Sequence, residues 1–510
     1  MNVLSHQVQV GVVGAGTMGI GIAQVAASAG HTVWVYDNKD GAAIKAIDSM
    51  VGTLNKLIEK GKISEETSMG ILARLRPAKS LQDLRDCGLI IEAIVEQFEP
   101  KIALFRELEN YVAPSCILSS NTSSIGITRM AATLQHSRRF VGLHFFNPAP
   151  LMPLVEIIRG LQTDPALLDI LSRTMTAWKK KPVLAKSTPG FIVNRIARPY
   201  YAEALRLLTN EAIAPVDLDA VMTEAGGFKM GPCALMDLIG HDVNAAVTQS
   251  VFESMSHDKR YEPSLLQQEM VSGGYLGKKS GQGFYDYRDN RALPVPNNES
   301  SSETIASIQI EGHLSAGHGL IERLTQADVI IDHMTAQKNI GGFIRVSGDA
   351  RLMLCDGRSA TQAATEDRFH NTVMFDLCLD FHKAKRICIT RASSCSDDAY
   401  AKVVALLQQA KFEVTRMGDV PGMPVTRTVC MLINEACDAV FQGVANVNDC
   451  DTAMRNGVNY PLGPFAWADQ LGTGHIIKVL RNLQKTYGEE RYRLSPLLQH
   501  RHWSGKKFHE

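Results

Sequence analysis

VQVGVVGAGTMGIGIAQVAASAG, residues 8–30, begins as a short β-branched run and continues through three spaced glycines into an alanine-rich stretch. Val8, Val10, Val12 and Val13 read as a strand. Gly14, Gly16 and Gly19 then supply the G-x-G-x-x-G spacing where a strand turns into a helix. The first glycine permits the turn, the second lets a pyrophosphate approach the backbone, and the third lets the helix pack on the strand. The helix N-terminus, entered through Thr17 and Met18, offers free N–H groups and a partial positive charge to phosphates. HTVWVYD follows as a second strand and ends in Asp37, 18 residues after Gly19. An acid there accepts hydrogen bonds from ribose hydroxyls and repels a 2′-phosphate, which favours NAD over NADP. Against this stand Lys39 nearby and the plainer reading of Asp37 as an ordinary strand-end residue.

The whole chain has 510 residues, 45% of them hydrophobic, too many for one core, so several domains are expected. Lys+Arg and Asp+Glu are both 53, a balance that argues against a nucleic-acid binder. The ten cysteines include no Cys-x-x-Cys and no zinc spacing, so free thiols in a reducing cytoplasm are expected, with no metal. No Asp, Glu, Lys or Arg precedes Asp37, and a hydropathy window flags residues 8–30. Gly and Ala fill that window instead of Leu, Ile and Phe, and no basic segment precedes it. A membrane span and a signal peptide are therefore both disfavoured.

Further strand-like runs are GLIIEAIV (88–95), CILSSN (116–121), FVGLHFF (140–146), LVEIIRG (154–160) and PVLAK (182–186). Helical stretches separate the early ones, which argues for a doubly wound, mainly parallel sheet. Ligands bind such sheets at the carboxyl ends of the strands. Those ends carry Glu96, the SSNTSS loop with Ser123, and His144 with Asn147. Strand alternation puts Phe140, Gly142, His144 and Phe146 on one face. A lone histidine there is more often a satisfied core residue than a catalyst. Glu156, inside LVEIIR and twelve positions on, alters that reading. A carboxylate in such a run needs a partner, and an imidazole on a neighbouring strand is a reasonable one. The carboxylate then fixes the tautomer and stabilises the imidazolium, which makes His144 a general base for hydride chemistry. Asn194, in STPGFIVNR, is a further polar candidate for this site.

These residues resemble the 3-hydroxyacyl-CoA dehydrogenase family. The resemblance is carried by the Gly14–Gly19 loop, IEAIVEQFEPK (91–101), SSNTSSI (119–125), GLHFFNPAPLMPLVEII (142–158), TPGFIVNR (188–195) and GYLGKKSGQGFYDY (274–287). It implies an α/β Rossmann-type NAD-binding domain followed by an all-α helical domain. It implies NAD as cofactor, a 3-hydroxyacyl-CoA substrate and a homo-oligomer. It also implies that His144 is the base oriented by Glu156, and that Ser123 and Asn194 hydrogen-bond the C3 oxygen and thioester region. Asn147 would help shape the site, and Glu96 and Lys101 would lie near the nicotinamide half of the cofactor. Lys56 and Lys60, in NKLIEKGKIS, fall where the family contacts CoA, though a solvated helix face reads equally well. Tandem helical segments without a hydratase domain resemble the dehydrogenases of bacterial phenylacetate breakdown, which implies an adipyl substrate. Arg195 or Arg198 would be candidates for its distal carboxylate. A short-chain 3-hydroxybutyryl-CoA dehydrogenase is the alternative. More distant alternatives are a non-catalytic λ-crystallin-like protein and a sugar-acid dehydrogenase.

The C-terminus repeats the helical segment. Pro189-Gly190, Glu203, Asp219, Gly231-Pro232 and Asp237 recur as Pro421-Gly422, Glu435, Asp451, Gly463-Pro464 and Asp469, each 232 positions on. At the same offset His144, Glu156 and Asn194 become Asp376, Cys388 and Thr426. The expected organisation is a nucleotide domain over 1–187, a helical domain over 188–288 and a polar linker over 289–309. A degenerate Rossmann-like segment over 310–416 and a second helical domain over 417–510 follow. The second helical copy is expected to pack against the first within one chain, imitating a dimer contact.

Overall fold

Eight strands form the first sheet: β1 (Gln9–Val13), β2 (Val33–Tyr36), β3 (Leu75–Pro77), β4 (Cys87–Glu92), β5 (Ile117–Ser120), β6 (Phe140–Phe145), β7 (Leu154–Arg159) and β8 (Lys181–Lys186). Their order in the computed structural model is β3-β2-β1-β4-β5-β6-β7-β8. The structure describes residues 3–334 and 341–510; positions 335–340 of the expected 310–416 segment lie outside the described residues. β1 pairs with β2 on one side and β4 on the other, both parallel. The crevice where the chain turns outward in both directions is the place such sheets bind ligands. Both faces of the central strands are covered. On one face Val10, Val12, Val33, Val35, Leu89 and Ile91 are buried with Ile22, Ala23 and Ala26 of the helix Thr17–Ser28, and on the other Val13, Ile90 and Leu118 are buried as well. That double burial explains their near-continuous apolar runs.

β6 and β7 break the parallel pattern. They pair antiparallel, with Gly142 opposite Ile158, Leu143 opposite Ile157, His144 opposite Glu156 and Phe145 opposite Val155. The twelve-residue spacing of His144 and Glu156 is therefore a hairpin register.

Residues 1–195 form one unit together with 442–458. That later segment contains the helix Val447–Gly457, which lies on β7 and β8. Residues 196–441 and 459–510 form the second unit. It holds the helices Arg198–Thr209, Pro215–Glu224, Pro232–Ile239, His241–Ser254 and Leu265–Ser272. The later helices Pro424–Phe441, Pro464–Leu471, Thr473–Tyr487 and Pro496–Ser504 repeat four of these five; the counterpart of Pro215–Glu224 is Val447–Gly457. Asp237 accepts the N–H groups of Phe284 and Tyr285, and Asp469 accepts those of Phe508 and His509. Acids 232 positions apart thus close both repeats in the same way. The repeats meet through Glu203 and Glu435. Glu203 accepts from Arg427 (2.7 Å) and the Tyr492 hydroxyl (3.1 Å), and Glu435 accepts from Arg260 (3.0 Å) and the Tyr261 hydroxyl (2.6 Å).

The same unit contains a second sheet: β9 (Ser307–Glu311), β10 (Ile330–Met334), β11 (Phe343–Val346), β12 (Ala350–Leu354), β13 (Thr372–Phe375), β14 (Arg386–Arg391) and β15 (Glu413–Arg416). Its order is β10-β9-β11-β12-β13-β14-β15. This matches the first sheet from β2 to β8, except that β11 is antiparallel to both neighbours where β4 is parallel. The expected linker (289–309) is pinned rather than free. Asn297 N–H donates to Asp217 (2.7 Å), Glu299 N–H donates to the Val414 carbonyl (2.7 Å), and β9 already begins at Ser307. No helix among the described residues is long and apolar enough to cross a membrane.

Candidate active site

The three glycines have separable reasons. Gly14 has φ +104, and a β-carbon there would stand 2.5 Å from the Ala93 carbonyl oxygen. One on Gly19 would stand 1.7 Å from the Gly14 carbonyl oxygen. Neither contact is tolerable, so turn and helix packing fix both positions. Around Gly16 nothing lies within 4 Å. The protein itself does not require glycine there, whereas a pyrophosphate lying on the backbone would. The helix Thr17–Ser28 starts without a side-chain cap, which leaves its first N–H groups for an anion. Asp37 stands beside this loop, accepting the Ala15 N–H at 2.8 Å and the Lys39 N–H at 3.0 Å. The residues present fit a dinucleotide.

At the carboxyl ends of the strands lies a cavity of about 350 Å³. Its lining includes Met18 of the loop, Glu96, Lys101, Ser123, His144, Asn147 and Asn194. Sequence reasoning picked out each of these seven, and the fold brings them to one place. Lys56 and Lys60 are exposed, at the end of the helix Ala42–Glu59, and do not line the cavity. Arg195 and Arg198 do not line it either; they are 2% and 6% exposed. The Arg198 guanidinium is engaged by the Thr248 hydroxyl (3.1 Å) and the Tyr201 ring.

His144 Nδ1 lies 2.7 Å from Glu156 Oε2, and Glu156 is fully buried. Its other oxygen accepts the N–H groups of Ile192 and Val193, each at 3.0 Å. A left-handed turn through Gly190 (φ 73) and Phe191 (φ 48) presents those two donors. Such a conformation is uncommon for phenylalanine and persists only where its surroundings enforce it. With the carboxylate accepting, Nδ1 carries the proton and Nε2 is the basic nitrogen. The imidazole ring packs against Phe146 (4.5 Å between centroids) and Phe191 (6.0 Å).

Glu96 is held by the SSNTSS loop. It accepts from the Thr122 hydroxyl (2.5 Å), the Ser123 and Ser124 N–H groups (2.9 and 3.1 Å) and the Ser124 hydroxyl (3.0 Å). Burial alone pushes its carboxyl up; Lys101, 3.2 Å away, and these donors outweigh that and hold it below its ordinary value. Asn194 Nδ2 donates to the Ser123 carbonyl at 3.5 Å.

Four supporting residues escaped sequence reasoning. Glu92 is fully buried, 2.5 Å from the Lys101 ammonium and 2.6 Å from the Ser120 hydroxyl. Burial pushes its carboxyl up, against the pull of Lys101. Asn121 accepts the Phe145 N–H (2.8 Å), which ties the serine-rich loop to the end of β6. Phe146 lines the cavity. Lys180 donates to the carbonyls of Ala149 (2.5 Å) and Met152 (2.9 Å), and burial lowers its pKa to about 8. It holds the loop that begins with Asn147. Glu92 carried a readable signal, a carboxylate closing an apolar run; Lys180 carried none.

In the second sheet the hairpin register persists without the imidazole. Phe375 stands opposite Ile389, and the next residue, Asp376, donates its N–H to the Cys388 carbonyl at 2.8 Å. The Asp376 carboxylate accepts the N–H groups of Val425 (2.7 Å) and Thr426 (2.9 Å).

Comparison with known proteins places this arrangement. The family model for the NAD binding domain of 3-hydroxyacyl-CoA dehydrogenase matches residues 9–188. The model for that family's C-terminal domain matches 190–287 and again 422–507. A third, the 3-hydroxybutyryl-CoA dehydrogenase reduced Rossmann-fold domain, matches 352–421. The chain is 43% identical over 492 residues to the 3-hydroxyadipyl-CoA dehydrogenase of Escherichia coli K12, covering 96% of this chain and 97% of that one. It superposes with a TM-score of 0.89 on a crystal structure of 3-hydroxybutyryl-CoA dehydrogenase from Escherichia coli K12, at 42% identity, covering 99% of this chain and all of that one. An (S)-3-hydroxybutyryl-CoA dehydrogenase from Ralstonia eutropha matches 55% of this chain and 99% of its own length, at 40% identity and a TM-score of 0.54. A nucleotide loop, a buried His–Glu pair and a twice-matched helical domain thus coincide with close relatives along the whole length, and the chain belongs to the 3-hydroxyacyl-CoA dehydrogenase family.

Proposed function

We propose that this chain oxidises (S)-3-hydroxyacyl-CoA to 3-oxoacyl-CoA at the cavity of β4, β5 and β6, with His144 as general base. The observation that carries this reading is the 2.7 Å contact between Nδ1 of His144, which lines the cavity, and a fully buried Glu156 behind it. The uncapped helix start behind Gly14, Gly16 and Gly19 holds the pyrophosphate, with Thr17 and Met18 in the same turn, and Asp37 holds the adenosine ribose. NAD, when bound, accepts a hydride at its nicotinamide ring. His144 Nε2 removes the C3 hydroxyl proton, and Glu156 stabilises the imidazolium that results. Ser123 and Asn194 orient the C3 oxygen and thioester region, and Asn147 shapes the wall beside them. Glu96, kept anionic by Lys101, stands toward the nicotinamide half. Lys56 and Lys60 meet the phosphates of CoA. In reduction the same imidazolium returns the proton.

For the acyl group we infer adipyl. The support is the 43% identity along nearly the whole chain to a protein named 3-hydroxyadipyl-CoA dehydrogenase. The name of the relative with TM-score 0.89 favours hydroxybutyryl as the second reading. Measuring kcat/KM on 3-hydroxyacyl-CoA substrates with and without a terminal carboxylate, using NAD and NADP, separates the two. A preference for the four-carbon substrate would overturn the adipyl reading. We also infer that the Glu203–Arg427 and Glu435–Arg260 contacts between the two helical repeats stand in for a contact between separate subunits. A chain ended near residue 290 tests this; a fragment that stays folded, active and unchanged in oligomeric state would overturn it.

A further inference from the structure

Residues 442–458 belong in sequence to the second helical repeat, yet they fold with the nucleotide-binding residues. Their helix, Val447–Gly457, is attached at its start. The Lys186 N–H donates to the Val444 carbonyl (2.9 Å), and the Leu184 N–H donates to Asp449 (3.3 Å). Asn446 caps the helix by accepting the Asp449 N–H. Cys450, Ala453, Met454 and Gly457 are buried. Their spacing of three and four places them on one face of the helix.

Gly457 makes the close approach. A β-carbon there would stand 2.6 Å from Leu154 Cδ2, 3.2 Å from Val193 Cγ2 and 3.6 Å from Phe146 Cε1. Each of these residues is one step from the His144–Glu156 pair. Leu154 precedes Glu156 by two on β7, the Val193 N–H donates to Glu156, and the Phe146 ring packs on His144. The backbone at Gly457 is not left-handed, so it does not require glycine. Glycine inside a helix is unfavourable relative to alanine. Packing is the remaining reason for it.

The exchange is matched on the other sheet. The Gly418 N–H donates to the Ala212 carbonyl at 2.7 Å, which repeats the Lys186–Val444 bond 232 positions away, and the helix Pro215–Glu224 packs on β14. Each sheet is walled by a helix from the other sheet's repeat. Only the first has a His–Glu pair behind that wall.

We propose that the helix Val447–Gly457 is a working wall of the catalytic cavity. Gly457 is the positioning residue that sets the room around Phe146, and with it the acyl chain the cavity accepts. This rests on the reading that the cavity holds a 3-hydroxyacyl-CoA. Leu154 and Val193 are buried at 0% and 2% exposure, and close-packed neighbours of that kind yield little. An added β-carbon presses first on Leu154 Cδ2, the end of a flexible side chain, while Phe146 at 3.6 Å is in ordinary contact. Phe146 is half-buried and borders open space, so it is the neighbour that γ-atoms beyond that β-carbon displace. A side chain larger than alanine at 457 therefore takes its volume from the cavity.

The test uses the full chain as Gly457→Ala, Gly457→Val and Gly457→Val with Phe146→Leu. Each is assayed on 3-hydroxybutyryl-CoA and 3-hydroxyadipyl-CoA, with NAD affinity and thermal melting measured alongside. In Gly457→Val the ratio of kcat/KM for the longer substrate over the shorter is expected to fall about tenfold or more, through KM. The smaller residue at 146 restores part of it, and NAD affinity is unchanged. The alanine variant, which only touches Phe146, is expected to keep the ratio. Should the valine variant not fold, Gly457→Ser, whose γ-oxygen reaches beyond the β-carbon, decides by the same ratio. A folded valine or serine variant with an unaltered ratio overturns the proposal while leaving the enzyme reading intact. A wild-type chain that turns over neither substrate removes the enzyme reading and the proposal with it.

Discussion

Asp376 occupies in the second sheet the hairpin position that His144 occupies in the first, 232 residues earlier, and its carboxylate does the anchoring that Glu156 does there. Glu156 accepts the N–H groups of Ile192 and Val193 at the start of the first helical repeat. Asp376 accepts those of Val425 and Thr426 at the start of the second. Both copies keep an acid that ties the sheet to the following helix. Only the first inserts an imidazole between acid and cavity. The duplication therefore separates two tasks that Glu156 combines, holding a helix start and orienting a base.

Burial pushes the Asp376 carboxyl up to about 6, against the N–H and hydroxyl donors that pull it down. The folded value lies above the unfolded one. Its contribution to stability is therefore complete below about pH 4 and is lost as pH rises through 6. Urea unfolding of the wild type and Asp376→Asn between pH 4 and 7 checks this. The stability difference, wild type minus variant, is expected to fall with pH by on the order of 3 kcal/mol. A pH-independent difference would exclude it.

Glu156 substitutions are expected to divide its two tasks. In Glu156→Gln the amide still accepts from Ile192 and Val193, but it donates to His144 Nδ1 and leaves Nε2 protonated. The chain folds, and kcat falls about 10²–10⁴-fold. In Glu156→Ala the two N–H groups and the imidazole all lose their partner, and stability falls by about 3–5 kcal/mol. Paired kinetics and urea unfolding separate the outcomes; equal destabilisation by both variants would speak against the division.

Lys101 and Glu92, at 1% and 0% exposure, form a buried ion pair under the cavity. Lys101→Met strands a buried carboxyl and is expected to cost about 3–5 kcal/mol of stability. The double variant Glu92→Gln with Lys101→Met is expected to lose less than the sum of the single losses. Additive losses in urea unfolding would show that the two groups do not act as a pair.

Asp37 beside the glycine loop predicts cofactor choice. Removing its charge in Asp37→Ser is expected to raise the ratio of kcat/KM with NADP over NAD by on the order of 100-fold, because the like-charge contact with a 2′-phosphate disappears. An unchanged ratio would assign Asp37 to the loop alone, through its bond to the Ala15 N–H.

The features legible in the sequence are those where a residue contradicts its surroundings. Glycines crowd Gly14–Gly19, and Glu156 is a charge in an apolar strand, so each demanded an explanation. Glu92 sends the same signal at the end of GLIIE, and treating that run as a strand leading to Glu96 concealed it. β3 has only three residues, Leu75–Pro77, too few to show a period. β11 takes the place of β4 in its sheet, but at the 232-residue offset it falls on residues 111–114, which form no strand. The helix Val447–Gly457 announces a buried face through its spacing, but periodicity does not say which element covers that face. That link lives in tertiary packing alone.

The central claim is that His144 is a base whose orientation comes from Glu156. The most direct measurement is kcat of His144→Gln on a 3-hydroxyacyl-CoA with NAD, with NAD affinity of the same protein determined by titration. The account predicts a loss of about 10²–10⁴-fold in kcat with NAD affinity unchanged. Turnover within a few-fold of wild type in a folded His144→Gln protein would contradict it.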